Sequence, residues 1–450
     1  MPRRALVVFI VAANLAAAAC NKLAEIAGAP TVTNVTVHAP AGILVGDSAQ
    51  VYVSAMKSDG TVIGEGLAPD TWASGNPSVV LISSSGVIKG LTVGQATISA
   101  TWRGTTGSAV VSVGATDARL GYALADQPGA SAYSPGASTS FNSSGGAITV
   151  TRADTGIYTV TFAGLGRPPG GRDNVQVSAY GTAPVYCKTK AWDGSSADLV
   201  VNVLCLNKDA ASVDSKFTIL AIGARAFGAS TPLGFLLSNA DTVPVNVDSA
   251  VTTHNSAGGQ TQVGYVSTGM FAAAWIGLGP QSGGAAGPVG FMLTGSGNTA
   301  RRCQLDAYDL AQSGIGITCR GAGGGLQNAA FSALWFTRGR PGLRYGYALA
   351  LNTGNTTGYP PTHDISANSS GGAITAKKTG TGTYQIVFAG LAHAAGASEG
   401  VIVSSFGTGG TFCTLVSWGN SGANDLAATV NCWDTSDALA DSLWMILIVQ

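Results

Sequence analysis

Asn142-Ser-Ser-Gly-Gly-Ala-Ile-Thr149 recurs residue for residue as Asn368-Ser-Ser-Gly-Gly-Ala-Ile-Thr375, and a weaker copy, Asn255-Ser-Ala-Gly-Gly-Gln-Thr261, stands between them. Each copy runs on into a second shared stretch. Thr155-Gly-Ile-Tyr-Thr-Val-Thr-Phe-Ala-Gly-Leu165 is matched by Thr268-Gly-Met-Phe-Ala-Ala-Ala-Trp-Ile-Gly-Leu278 and by Thr381-Gly-Thr-Tyr-Gln-Ile-Val-Phe-Ala-Gly-Leu391. Internal repetition has to be recognised before any single motif is interpreted. The copies open on Tyr122-Ala-Leu, Phe235-Leu-Leu and Tyr347-Ala-Leu, and they close on apolar strands at Phe217 to Ile222, Phe331 to Phe336 and Trp444 to Val449. Asn-Ser-Gly-Gly turns between β-branched and aromatic runs are the signal of strands joined tightly. The repeats are read as beads, each folding alone. Short linkers at Gly114 to Arg119, Gly223 to Thr231 and Arg338 to Gly342 would string them semi-rigidly.

The cysteines follow the same period. Cys187 and Cys205, Cys303 and Cys319, and Cys413 and Cys432 fall one pair to a copy, separated by 18, 16 and 19 residues. Cys205 shares strand parity with Leu199, Val201 and Val203, Cys319 with Ile315 and Ile317, and Cys432 with Ala428 and Val430. Alternate strand residues face one side, so these sulfurs point inward. Two inward cysteines per domain in an exported chain read as a disulfide. Zinc would need four ligands, usually with close pairs such as Cys-x2-Cys, and no histidine recurs beside the cysteines.

The seventh cysteine, Cys20, belongs to the N-terminus. Arg3 and Arg4 precede an apolar run from Ala5 to Ala19, broken by Asn14. That run is too short to cross a hydrocarbon core comfortably and reads as an export signal. Leu15-Ala-Ala-Ala-Ala19-Cys20 resembles the lipobox of bacterial lipoproteins, with Ala17 where leucine is preferred. The resemblance implies cleavage before Cys20 and a lipid on its sulfur, which accounts for the odd cysteine. Cleavage after Ala19 without lipid is the alternative.

Between Thr31 and Val113, Ala49, Val51, Val53 and Ala55 alternate with Gln50, Tyr52, Ser54 and Met56 in the period of a half-buried strand. Gly46, Trp72-Ala-Ser-Gly-Asn-Pro-Ser-Val79, Ser85-Gly-Val-Ile-Lys-Gly-Leu91 and Gly94-Gln-Ala-Thr-Ile-Ser-Ala100 resemble the bacterial immunoglobulin-like group 2 domain. The resemblance implies a β-sandwich. Trp72 would then be a large core side chain, and Gly86, Gly90 and Gly94 would take turns with positive φ. The repeats resemble cysteine-paired β-modules of secreted bacterial proteins, which implies architecture and no mechanism.

The expected fold is all-β: an immunoglobulin-like sandwich followed by three tandem disulfide-bonded β-sandwich repeats. The segments are 1–19 (signal peptide), 20–30 (lipid-anchored linker), 31–114 (immunoglobulin-like domain) and the repeats 119–222, 231–338 and 343–450. Charged residues are 10% of the chain and balance at 23 of each sign, which argues against nucleic acid as a partner.

His363-Asp364 could orient an imidazole, but no Gly-x-Ser-x-Gly elbow accompanies it. Glutamate occurs only at Glu25, Glu65 and Glu399, which offers no evident carboxylate pair. No calcium loop or phosphate cradle is recognisable, so no catalytic residue, metal or cofactor is assigned. Trp192, Trp418 and Trp433 are candidate binding aromatics, set against packing on the disulfides. The expectation is a cell-surface lipoprotein, held to the membrane through Cys20, with a non-catalytic binding or adhesion role towards a glycan or protein ligand. A structural stalk or spacer and a secreted hydrolase are the alternatives.

Overall fold

The computed structural model describes residues 30–64, 67–115, 117–228, 231–239, 241, 250–279, 288–337, 343–394 and 397–450. Cys20 and the signal segment lie outside the described residues. The chain divides into two compact units, one ending at Ala115 and the other running from Thr116 to Gln450.

The first unit is a β-sandwich. Val32–His38 pairs with Tyr52–Lys57, and Gly94–Trp102 lies between Thr105–Gly114 and Thr71–Ser74. The alternation read from the sequence holds: Val51, Val53 and Ala55 are buried, while Gln50, Tyr52 and Met56 are exposed. Val35, Val53, Ile88, Ile98 and Val111 meet in the core, and Trp72 is half-buried at its margin rather than central. Gly86 has φ 77°, as expected. Gly90 does not take positive φ. It is a strand residue kept small because a Cβ there would lie 2.8 Å from the Leu44 carbonyl oxygen.

In the second unit each repeat forms two antiparallel sheets. In the first repeat, Lys216–Gly223 lies between Leu120–Ala125 and Asp173–Tyr180. The facing sheet carries Ile148–Asp154, Ile157–Phe162, Leu199–Leu206 and Tyr186–Asp193 in spatial order. Strands of the facing sheets alternate buried and half-buried positions, as Ile157–Phe162 and Thr383–Phe388 do. The closing strands do not alternate. Phe331–Phe336 is buried throughout, and so is all of Leu443–Val449 after its first residue.

That burial on both faces shows where the repeats differ from beads. Trp444, Ile446 and Ile448 point into the third repeat's own sandwich, while Met445, Leu447 and Val449 point the other way. There they join a core shared by all three repeats, with Leu120, Tyr122 and Ile222 of the first and Phe235, Phe291 and Trp335 of the second. The stretch taken as a linker, Gly223 to Thr231, buries Ala224, Ala226 and Phe227 in that core. Independent folding gives way to one interlocked unit because each closing strand has two apolar faces to cover.

The interlock is cyclic. The strands Asp173–Tyr180, Gly290–Gly295 and Gly400–Phe406 occupy equivalent places, and one hydroxyl from each clamps the backbone of the next. Ser178 Oγ donates to the Val403 carbonyl (2.8 Å) and accepts from the Val403 N–H (2.9 Å). Ser404 Oγ does the same at Leu293, both at 3.0 Å. Thr294 Oγ1 accepts from the Val177 N–H at 3.0 Å and lies 3.2 Å from the Val177 carbonyl. Three equivalent contacts that close on themselves define an approximate threefold axis.

A second ring runs the opposite way round. Thr414 Oγ1 reaches the Gly181 carbonyl at 3.3 Å, Gln304 Nε2 donates to the Gly407 carbonyl, and Lys188 Nζ donates to the carbonyls of Ser296, Thr299 and Arg301. At two of the junctions the sheets fuse, through parallel pairing of Tyr180 with Leu415 and of Leu305 with Phe406. Each fused sheet has eight strands.

The disulfides Cys187–Cys205, Cys303–Cys319 and Cys413–Cys432 join residues directly opposite one another on neighbouring strands. They clamp hairpins within one sheet. On the chain-entropy account each loop of this length contributes about 3 kcal/mol. Replacing both Cys187 and Cys205 by alanine should therefore lower the stability of the unit by about that amount in a denaturant titration. An unchanged midpoint would show the bond to be energetically idle.

Candidate functional site

The two ends of the threefold axis are unlike. At one end lie the start of each repeat's first strand and the end of its last, paired as Leu120 with Ile222, Leu233 with Phe336 and Tyr345 with Val449. The chain enters there, where Asp117 accepts backbone N–H groups from Arg172 and Ala224 and pairs with Arg119 at 2.6 Å. The first repeat ends and the second and third begin at the same end. Among the described residues the opposite, far end has none of these connections and carries the turns 181–185, 297–301 and 407–411.

Three more turns surround the far end, at 207–211, 321–325 and 434–438. Each is closed by a backbone bond: Asn207 N–H to Ala211 O, Gly321 N–H to Gly325 O and Asp434 N–H to Ala438 O. Each has one residue with positive φ, at Ala210, Gly324 and Asp437. Leu326 and Leu439, which follow two of these turns, are 39% and 38% exposed.

On the axis itself, the residue before the first cysteine of each pair points inward. These are Tyr186, Arg302 and Phe412, an aromatic, a cation and an aromatic. The Tyr186 and Phe412 rings are 6.0 Å apart, and Arg302 Cζ stands 4.8 Å from the Phe412 centroid and 5.9 Å from that of Tyr186. Leu204, Leu206 and Trp433 complete the cluster. Beneath it is a cavity of about 50 Å³ lined by Cys187, Cys303 and Cys413, by Ser178, Thr294 and Ser404, and by Lys188 and Arg302.

Burial sets the electrostatics here. It pushes the Tyr186 hydroxyl up to about 12 and lowers the Arg302 guanidinium from its usual range. Lys188, 1% exposed, is held down to about 8 by burial, with Asp241 opposing that shift and Arg301 adding to it.

No family model matches the chain, and no curated protein sequence matches it. Among solved structures it is similar to domains 4 and 5 of the S-layer protein SbsC. The two are 13% identical with a TM-score of 0.19, covering 50% of this chain and 96% of that one. It is also similar to SbsC domains 1–6, at 12% identity and a TM-score of 0.20, covering 64% of this chain and 36% of that one. The likeness is distant.

The residues singled out in the sequence fall in different places. Trp433 is 7% exposed and buried at the far end, its Nε1 donating to Thr414 Oγ1 at 3.2 Å, so it is not a surface aromatic. Trp192 and Trp418 are half-buried at equivalent positions, each against its own repeat's core, and Trp418 meets Tyr180 edge to face. The three tryptophans do not converge. His363 and Asp364 are exposed, their side chains 3.5 Å apart. Glu399 does not join them. It is 2% exposed and its Oε2 lies 2.8 Å from His393 Nδ1. Burial raises the Glu399 carboxyl, and His393 and Trp418 oppose that. Arg167 and Asp173 form the matching pair in the first repeat, so His393–Glu399 reads as a loop-closing contact. His254, half-buried against Phe235, is pushed down to about 3 by the desolvation of its ring, with Arg172 adding to the shift.

Arg302, Lys188, Tyr186 and Phe412 were not singled out from the sequence. Aligning the copies on their first cysteines would have exposed Arg302 as a charge in an otherwise aromatic column.

Lys188 yields a pH dependence with a definite sign. Its folded value of about 8 lies below the ordinary 10.5, so between those values the unfolded chain binds the proton and the folded chain does not. Stability should rise as pH increases from 8 towards 10. Tyr122, Tyr158, Tyr186 and Tyr384 work in the other direction. Burial lifts them to about 12 from 10, so stability should fall above pH 10 as the unfolded tyrosines ionise. Urea titrations across this range should show the rise in the native protein and a flat response in Lys188→Met. Equal slopes would refute the assignment.

Proposed function

We propose that this chain is an exported lipoprotein, anchored through Cys20, whose repeat unit is displayed at the cell envelope as a rigid three-lobed head for non-catalytic binding or adhesion. The observation that carries this reading is the polarity of the axis. The chain enters the unit and the repeats connect at one end, and among the described residues the other end carries six short turns, two from each repeat. Three cross-strand disulfides suit an oxidising compartment outside the cytoplasm. Residues 31–114 are read as an immunoglobulin-like group 2 module.

Turns arrayed by a threefold arrangement would give several contacts of similar geometry, and repeated weak contacts add up to useful avidity. A glycan or surface protein is the partner class this suits. The test is binding of the lipid-free chain, residues 21–450, to arrays of envelope polymers and cell-surface glycans. A parallel chain would carry replaced turns at 207–211, 321–325 and 434–438. Binding lost on turn replacement would support the reading. Absence of binding in the native chain, or binding indifferent to the turns, would overturn it in favour of a structural spacer.

A further inference from the structure

We propose that the threefold axis of the repeat unit holds a small monovalent anion, chloride or a carboxylate of formate size, in the cavity lined by Arg302.

The position of Arg302 is the first support. Its equivalents in the other repeats are Tyr186 and Phe412, which fill the axis with apolar rings, so the cation replaces a third ring and is not needed to complete the packing. The second is its lack of an anionic partner, since its close neighbours are the Phe412 and Tyr186 rings. Arg302 is 7% exposed, its Nη2 donates to the Gly410 carbonyl at 2.9 Å, and its Nε is buried with no hydrogen-bond partner. A guanidinium offers five donors, and burying it without an anionic partner is costly. Among the described residues no carboxylate lies within ion-pair distance of it.

The surrounding charges sharpen this. Arg320, another cation, holds the same 407–411 turn through Thr408 O at 2.7 Å, and its Nε is likewise buried and unpartnered. Lys188 lines the cavity as well. The acids on the neighbouring turn are Asp434 and Asp437. Asp434 is occupied by the N–H groups of Ser436 and Ala438. Asp437 Oδ1 is buried without a hydrogen-bond partner and stands outside ion-pair contact with Arg302, acting on it only through space. A cavity of about 50 Å³ has room for a few water-sized bodies, hence for a halide or a one-carbon carboxylate but not a sugar or peptide.

The test compares thermal unfolding of the full chain in chloride, bromide or formate with unfolding in gluconate at equal ionic strength. Gluconate is too large for the cavity. The native protein should show a higher midpoint in each small anion, and Arg302→Phe, which supplies the third repeat's ring, should lose that difference. Crystals grown in bromide should show an anomalous peak beside Arg302. Asp437→Asn should keep the response. The proposal is overturned by a native midpoint indifferent to the anion, by an equal response in Arg302→Phe, or by a response that appears only in Asp437→Asn. Should Arg302→Phe fail to fold, the bromide map of the native protein decides: density on the outer surface alone overturns the site.

Discussion

A chain ending at Thr337, and so lacking the third repeat, is expected to lose the cooperative unfolding transition of the repeat unit entirely rather than to retain two intact modules. The third repeat supplies strands to both eight-stranded sheets, pairing Phe406 with Leu305 and Leu415 with Tyr180. It also supplies Tyr347, Met445, Leu447 and Val449 to the shared core. Its removal strips cover from apolar faces of the other two repeats and leaves the Leu293 backbone without Ser404 and the Ser178 hydroxyl without the Val403 backbone. A domain's net stability is only about 5–15 kcal/mol, far less than such a loss of buried surface removes. Near-ultraviolet circular dichroism and a thermal scan of the shortened chain would check this. Two persisting transitions, or one of native sharpness, would mean that the repeats fold alone after all.

Trp335→Ala should destabilise the unit by about 3–5 kcal/mol, the usual cost of deleting a buried tryptophan from a close-packed core. Trp335 is fully buried, with ring centroids 5.8 Å from Phe291 and 6.2 Å from Trp275. The distinctive part of the expectation is where the loss is felt. Its core includes residues of all three repeats, so every probe in the unit should shift together. Hydrogen exchange would report this: loss of protection in Leu120–Ala125 and Leu443–Val449 as well as in the second repeat. Loss confined to residues 233–337 would contradict a shared core.

Much of the fold was legible from the repeats. Period-two strands such as Ile157–Phe162 face solvent on one side, so their alternation survives in the sequence and marks them plainly. The cysteine parity worked for the same reason, because Cys205, Cys319 and Cys432 lie on the inward side of strands whose first halves are half-exposed on the other side. The assembly was also written in the sequence, in Leu443-Trp-Met-Ile-Leu-Ile-Val449 and Phe331-Ser-Ala-Leu-Trp-Phe336. An apolar run of strand length, unbroken in the first and interrupted only by Ser332 in the second, means burial on both faces. Reading these runs only as final strands missed that their second face needed a neighbour.

The far-end cluster was harder to see. Tyr186, Arg302 and Phe412 are remote from one another in sequence, and only the closure of the axis brings them within 6.0 Å. Trp433 went astray through parity. Opposite parity to Cys432 does place it on the other face of its strand, but that face is covered by the adjoining repeats instead of by water.

The sequence by itself determined the strands, the three copies and the pairing of their cysteines, because local alternation and turn chemistry act over a few residues. It also carried the pattern from which anchorage at Cys20 is inferred. Tertiary structure alone decided that the copies close into a ring. That outcome rests on side chains such as Ser178, Thr294 and Ser404, whose hydroxyls are ordinary in a strand and acquire meaning only when another repeat's backbone arrives opposite them. Contacts between residues more than a hundred positions apart depend on how whole sheets cover one another, and no local pattern encodes which partner that will be.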